Sequence, residues 1–232
     1  MIKTRPADAR GRTQLAWLDS RHTFSFGQYR DPQFMGFRCL RVINDDHAAP
    51  CGGFPSHSHA NMEIISYVLK GALAHRDSTG GTGELHPGDA QVMTAGRGIE
   101  HSEYNGSDKE LVHFLQVWIE PSRRDVTPNY ADRAFDVANH PNRWHTIASP
   151  DGREDSLVIC QDARVNVALL EPGERLEHTL APDRAAWLHV ATGAVHINGY
   201  GLKAGDGASI EEVTLLEITG DEAGELLLFD LP

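Results

Sequence analysis

Residues 57–75 read His-Ser-His-Ala-Asn-Met-Glu-Ile-Ile-Ser-Tyr-Val-Leu-Lys-Gly-Ala-Leu-Ala-His. His57 and His59 are two residues apart, so on an extended strand both rings point to one side. The apolar run Glu63–Leu69 that follows reads as a strand, Gly71 as a turn and the residues beyond it as a second strand. The pattern returns in the second half of the chain. Tyr67–His75 matches His189–His196, and Pro87-Gly88-Asp89-Ala90 matches Ala204-Gly205-Asp206-Gly207. Two β barrels in tandem are the simplest account of such a repeat, and the expected class is all-β.

Outward from this stretch, short apolar or alternating runs recur at Phe37–Val42, Ala90–Met93, Leu111–Ile119, Val165–Leu170, Ala186–Val190, Ala194–Ile197 and Glu225–Phe229. Turn signals such as Asn44-Asp45-Asp46, Asp77-Ser78-Thr79-Gly80-Gly81 and Asn198-Gly199 separate them, and no long amphipathic helix pattern competes. Residues 121–155 are polar and proline-bearing with little alternation, which predicts a connection with a helical turn. The expected division is an N-terminal barrel over 1–125, a connection over 126–150 and a C-terminal barrel over 151–232.

Composition narrows the function. With 21 Lys+Arg against 33 Asp+Glu the net charge is −12. A phosphate-binding face needs clustered Lys and Arg, so direct nucleic-acid binding is not expected. Cys39, Cys51 and Cys160 are odd in number and widely spaced, which suits neither a disulfide framework nor a thiolate metal cluster and points to a reducing compartment. No window approaches the ~20 apolar residues of a membrane span, and the first residues lack the apolar stretch of a signal peptide. A cytoplasmic location is the expectation. The glycine-rich patches at 80–83 and 96–98 lack the strand-to-helix context of a phosphate cradle.

Thirteen histidines remain to be explained. His101-Ser102-Glu103 repeats the two-residue spacing of His57 and His59 with one imidazole and one carboxylate. If the two strands face each other inside a barrel, these four groups converge on one ion. Strand parity also places Glu63 on the side of His57 and His59, as an alternative ligand or a group supporting the ligands. Gln116 and His113 share the alternating run Leu111–Ile119, one of whose faces must point inward. Phe24, Phe26, Phe34, Met62 and Phe114 are candidates to wall an apolar pocket, although each also suits plain core. Cys51 is expected to be a buried, inert thiol.

His57-x-His59-x3-Glu63, Gly71, Pro87-Gly88-Asp89 and Gly98-x2-His101-x3-Asn105, in that order, resemble the two signature motifs of the cupin superfamily. Trp17-Leu18-Asp19-Ser20, His22-Thr23-Phe24-Ser25-Phe26, Phe34-Met35-Gly36-Phe37, Leu40–Asp46 and Thr94–Ile99 are similar to one branch of it, the pirin family, over nearly the whole chain. The resemblance implies a bicupin of two jelly-roll-like barrels, with one divalent transition metal in the first, held by His57, His59, His101 and Glu103. Fe(II) is the favoured ion, with Cu, Ni, Co, Mn or Zn as alternatives, since nitrogen and oxygen donors suit this group.

The resemblance further implies a quercetin 2,3-dioxygenase-like enzyme. It would open a flavonol ring with dioxygen, with Glu103 as the catalytic base for the 3-hydroxyl, releasing a depside and carbon monoxide. The alternative is a metal-binding regulatory protein without turnover, which would act through a protein partner. Aligning Gly193 with Gly71 and Gly205 with Gly88 puts Thr179, Ala181, Ala185, Ile218 and Gly220 where the first half carries His57, His59, Glu63, His101 and Glu103. The second barrel is therefore expected to hold no metal, and His178, His189 and His196 to be structural or surface residues.

Overall fold

The computed structural model describes all residues, Met1 to Pro232. In chain order the strands are β1 (Ile2–Arg5), β2 (Gly11–Gln14), β3 (Leu18–His22), β4 (Leu40–Ala48), β5 (Gly53–His59), β6 (Glu63–Lys70), β7 (Leu73–Asp77) and β8 (Thr82–Leu85). There follow β9 (Asp89–Thr94), β10 (Ile99–Asn105), β11 (Val112–Ile119), β12 (Asn129–Ala134), β13 (His145–Ser149), β14 (Leu157–Val158) and β15 (Arg164–Leu170). The last seven are β16 (Arg175–Thr179), β17 (Ala185–Val190), β18 (Ala194–Ile197), β19 (Tyr200–Lys203), β20 (Gly207–Ile210), β21 (Leu215–Glu222) and β22 (Gly224–Leu231). The helical content is two short 3-10 turns, Ala7–Ala9 and Arg153–Asp155.

The chain forms two compact units, residues 11–135 with 157–161, and residues 1–10 with 136–156 and 162–232. In the first, one sheet runs β12-β9-β6-β11-β4-β3-β2 and the other β5-β10-β7-β8. In the second, the corresponding orders are β1-β20-β17-β22-β15-β13 and β16-β21-β18-β19. Adding eleven to the labels β4 to β11 gives β15 to β22, so the internal repeat extends to the strand order of both sheets. Gly71 and Gly193 occupy equivalent turns at φ +80 and +75, where a side chain would also collide with the backbone of Leu111 or Ala223.

Two expectations need correction. The division is not contiguous, because β1 pairs with β20 and places residues 1–10 in the second unit. The polar stretch expected as a connection carries the strands β12 and β13. β12 escaped notice because it lies at a sheet edge, paired to β9 alone, and its largely exposed side chains show no apolar alternation.

Inside the first unit, side chains facing inward follow a graded pattern along each strand. On β6 it is Ile64, Ser66, Val68, on β11 Phe114, Gln116, Trp118, and on β10 Ile99, His101, Glu103. One apolar cluster holds Val68, Leu73, Leu85 and Phe114, another holds Ile64, Met93, Ala95 and Ile99. A belt of buried polar residues runs between them.

Candidate metal centre

β10 is the central rung of the site because it is hydrogen-bonded on both sides. His101 lies opposite His57 of β5 and Asp77 of β7, and Glu103 lies opposite His75. Between His101 and Glu103 the β5 register slips at Pro55 and Ser56, a bulge where proline's missing N–H is tolerated. The Pro55 carbonyl accepts a hydrogen bond from His57 Nδ1 at 2.8 Å, which leaves His57 Nε2 with its lone pair.

His57, His59 and His101 bring their ligating nitrogens within 4.8 Å of one another. His57 Nε2 and His101 Nε2 are 3.1 Å apart, and the ring centroids of the three residues lie 4.5–4.9 Å apart. Burial, then the neighbouring imidazoles, pushes His59 down to about 4 and His101 down to about 3. Both rings are therefore neutral at physiological pH, with lone pairs available to a cation.

Glu103 is 1% exposed and falls in a second group with His101 and His75, rather than in the first with His57 and His59. Its Oε1 accepts hydrogen bonds from Ser66 Oγ at 2.8 Å and Gln91 Nε2 at 2.6 Å, and its Oε2 from Gln116 Nε2 at 2.5 Å. Three donors on the polar belt thus fix the carboxylate as an acceptor. Tyr130 of β12 donates to Gln91 Oε1 at 3.2 Å and stacks on His75 with centroids 4.3 Å apart.

Glu63 is not part of this cluster. It is fully buried, accepts from Thr94 Oγ1 at 2.7 Å and from the Cys160 backbone, and burial raises its carboxyl above the usual range. Parity fails here because it requires one continuous strand. β5 ends at His59 in the smaller sheet and β6 starts at Glu63 in the larger, with Asn61 at φ 52 between them.

His75 and Asp77 are participants the sequence reading passed over. His75 Nε2 donates to Asp77 Oδ2 at 3.0 Å, and both side chains are wholly buried. Burial alone would raise the Asp77 carboxyl. The Thr79 hydroxyl, His75 and the backbone N–H groups of Thr79 and Gly81 outweigh it and hold the carboxyl below its ordinary value. His75 Nδ1 is left buried without a hydrogen-bond partner, within the group formed with His101 and Glu103. The available signal was a His-x-Asp pair on the strand following Gly71.

Other candidates sort by face. Gln116 points inward, whereas His113 lies on the outer face, 2.7 Å from Asp45 Oδ1 and stacked on His47. Of the proposed wall residues Phe26 lines a cavity, Phe24 and Phe114 are core, and Met62 packs against the Ile64 cluster. Cys51 is exposed in the turn before β5, contrary to expectation, at φ 61. His178 pairs with Asp230 and His196 with Asp221, and His189 is buried on β17.

The paired barrels, with an imidazole-rich cluster in the first, define a bicupin. The pirin family model matches residues 3–119, and the model described as the quercetinase C-terminal cupin domain matches residues 146–231. The chain is 44% identical over 232 residues to the quercetin 2,3-dioxygenase of Escherichia coli (strain K12), covering 100% of this chain and 99% of that protein. It is 42% identical to a pirin-like protein of Caulobacter vibrioides, covering 99% of each. The crystal structure of the bacterial pirin YhhW of Escherichia coli in complex with nickel(II) superposes with a TM-score of 0.95 at 43% identity, over 100% of this chain and 99% of that one. The chain belongs to the pirin family.

Proposed function

We propose that the protein is a metal-dependent dioxygenase of flavonols, holding one divalent transition ion with His57, His59, His101 and Glu103. The observation that carries this reading is the approach of two imidazole Nε2 atoms to 3.1 Å, with a third ring beside them and a buried carboxylate beyond. Lone pairs so arranged repel one another unless a proton or a cation is shared. An all-nitrogen and oxygen set suits iron, nickel, cobalt, manganese or copper. The names of the Escherichia coli relatives, a quercetin 2,3-dioxygenase and a nickel complex, support the substrate class and the kind of ion.

When bound, the ion supplies Lewis acidity, which lowers the pKa of a coordinated hydroxyl. The chain's own groups do the rest. Glu103 Oε1 already accepts two hydrogen bonds, whereas Oε2 accepts one, so Oε2 is the atom with a lone pair for the ion or for the flavonol 3-hydroxyl proton. Gln116 keeps that oxygen in place, and Ser66 and Gln91 keep Oε1, while the charge of the group changes. His75, anchored by Asp77, packs beside His101 and limits its movement.

The test is turnover. Protein loaded separately with each of these ions is mixed with quercetin in air, and loss of the long-wavelength flavonol absorption is followed. We expect loss with at least one ion and none in His57→Ala or Glu103→Ala. An inactive wild type with every ion, or full activity in both variants, overturns the reading.

A further inference from the structure

A cavity of about 660 Å3 in the first unit is lined by Trp17, Phe26, Tyr29 and Phe54 together with Asp46 and Gln116. Its volume is in the range that encloses a small organic molecule, roughly 300–1,000 Å3. The polar wall is built by cross-strand pairing: Ser20 faces Asp46, His22 faces Asn44, and Gln116 faces Asn44 on β4's other side. Gln116 hands this wall on to Glu103 through its 2.5 Å hydrogen bond. Phe54 packs near His57, and Phe26 meets Trp118, which in turn meets His59. The cavity therefore reaches the imidazole cluster by two aromatic contacts and the carboxylate by one amide.

Asp46 is the anomaly in this wall. It is 1% exposed, and the one donor acting on its carboxylate is the Ser20 hydroxyl across the strand pair, which lies outside good hydrogen-bond geometry. Most polar residues of the belt are satisfied: His22 by Thr13 and Asn44, Gln116 by Glu103. A buried carboxylate so poorly supplied with donors is destabilising, and the fold does not require it. In the second barrel the register that pairs Asp46 with Phe114 pairs Ala168 with Leu226. Burial, opposed by the Ser20 hydroxyl and reinforced by Asp45 and Glu103, pushes the Asp46 carboxyl up to about 7. A neutral hydrogen-bond donor satisfies the carboxylate oxygens, whereas the neighbouring carboxylates of Asp45 and Glu103 disfavour an anion.

We propose that Asp46 is a specificity-determining residue, accepting a hydrogen bond from a phenolic hydroxyl of a flat aromatic ligand lodged in this cavity. The proposal rests on the flavonol reading of the site and adds to it the group that distinguishes a polyhydroxylated flavonol from a bare one. Trp17, Phe26, Tyr29 and Phe54 supply the apolar faces for the rings.

The experiment is a titration of metal-loaded protein under anaerobic conditions, read by quenching of tryptophan fluorescence. The probes are quercetin and 3-hydroxyflavone, which share a ring system and differ in the remaining hydroxyls. Wild type should bind quercetin at least ten-fold more tightly than 3-hydroxyflavone. Asp46→Leu should lose about ten-fold for quercetin and little for 3-hydroxyflavone, and Asp46→Asn, which keeps an acceptor oxygen, should retain most of the preference. A wild type that does not discriminate, or an Asp46→Leu variant with the wild-type preference, overturns the proposal. The first of these needs no variant to fold. Turnover with unchanged selectivity in Asp46→Leu removes the role of Asp46 alone. Selective, Asp46-dependent binding without turnover removes the dioxygenase reading alone.

Discussion

The two barrels share strand order in both sheets, yet their interiors have opposite chemistry. Pairing register identifies equivalent positions directly: Ser66, Gln91 and Gln116 in the first correspond to Leu188, Ala208 and Leu228 in the second. Glu103, lying between Phe54 and His75, corresponds to Ile218 between Leu176 and Ile197, and His101, opposite His57, corresponds to Leu216, opposite His178. The second interior is one apolar cluster, including Leu176, Leu188, Val195, Ile197, Ile218 and Leu228, all nearly inaccessible to solvent. Such a barrel is held by burial and close packing. The first barrel gives up part of that stabilisation for a polar belt that orients one carboxylate and three imidazoles. The fold thus needs no polar belt, and the belt is there for the site.

The contrast can be broken or sharpened by substitution. The largest expected effect is on metal binding: His57→Ala or His101→Ala should weaken it by about 1,000-fold, roughly 4 kcal/mol, in a calorimetric titration, while His178→Ala and His196→Ala leave it unchanged. Loss of metal in either of the latter two would erase the distinction between barrels. Next, Ile218→Ala, at the position equivalent to Glu103, should lower unfolding stability by about 2–5 kcal/mol in denaturant titration without altering metal affinity. His75→Ala and Asp77→Asn act on a ligand's support and should cost about 10–30-fold in metal affinity, with the fold intact by circular dichroism.

The smallest effect is on pH-dependent stability. Asp46 binds its proton more tightly when folded, with a carboxyl raised from 3.8 to about 7. The folded state thus holds more protons than the unfolded state between these values, and stability is lost as pH rises through that window. Asp46→Asn should melt about 2–6 °C above wild type at pH 8 in metal-free protein, and at the same temperature near pH 4. An equal shift at both pH values would show that the gain comes from packing rather than from charge.

What the sequence revealed follows the same physical division. Apolar strands such as β6, β11, β17 and β22 announce themselves by hydrophobicity, and the His-x-His and His-x-Glu pairs by the period of an extended chain. Polar strands do not. β7 reads as a strand as far as His75, but Asp77, which anchors that ring, falls in what reads as a turn, and β12 delivers Tyr130 from a stretch that reads as a connection. Parity misplaced Glu63 because the chain changes sheet between His59 and Glu63. Glycine alignment placed Thr179 at the position of His57 and Ile218 at that of His101, whereas pairing identifies His178 and Leu216, since the turns between the strands differ in length in the two barrels. Long-range pairing decides each of these points, and it leaves no local trace.

The central claim is that the first barrel alone holds a divalent ion, between β5 and β10. Anomalous X-ray scattering from crystals of the protein loaded with one equivalent of nickel(II) tests it most directly. The expected result is a single dominant peak about 2 Å from the Nε2 atoms of His57 and His101, with His59 and Glu103 beside it. A peak on the outer-face group of Asp45, His47 and His113, or anywhere in the second barrel, with none between β5 and β10, would contradict it.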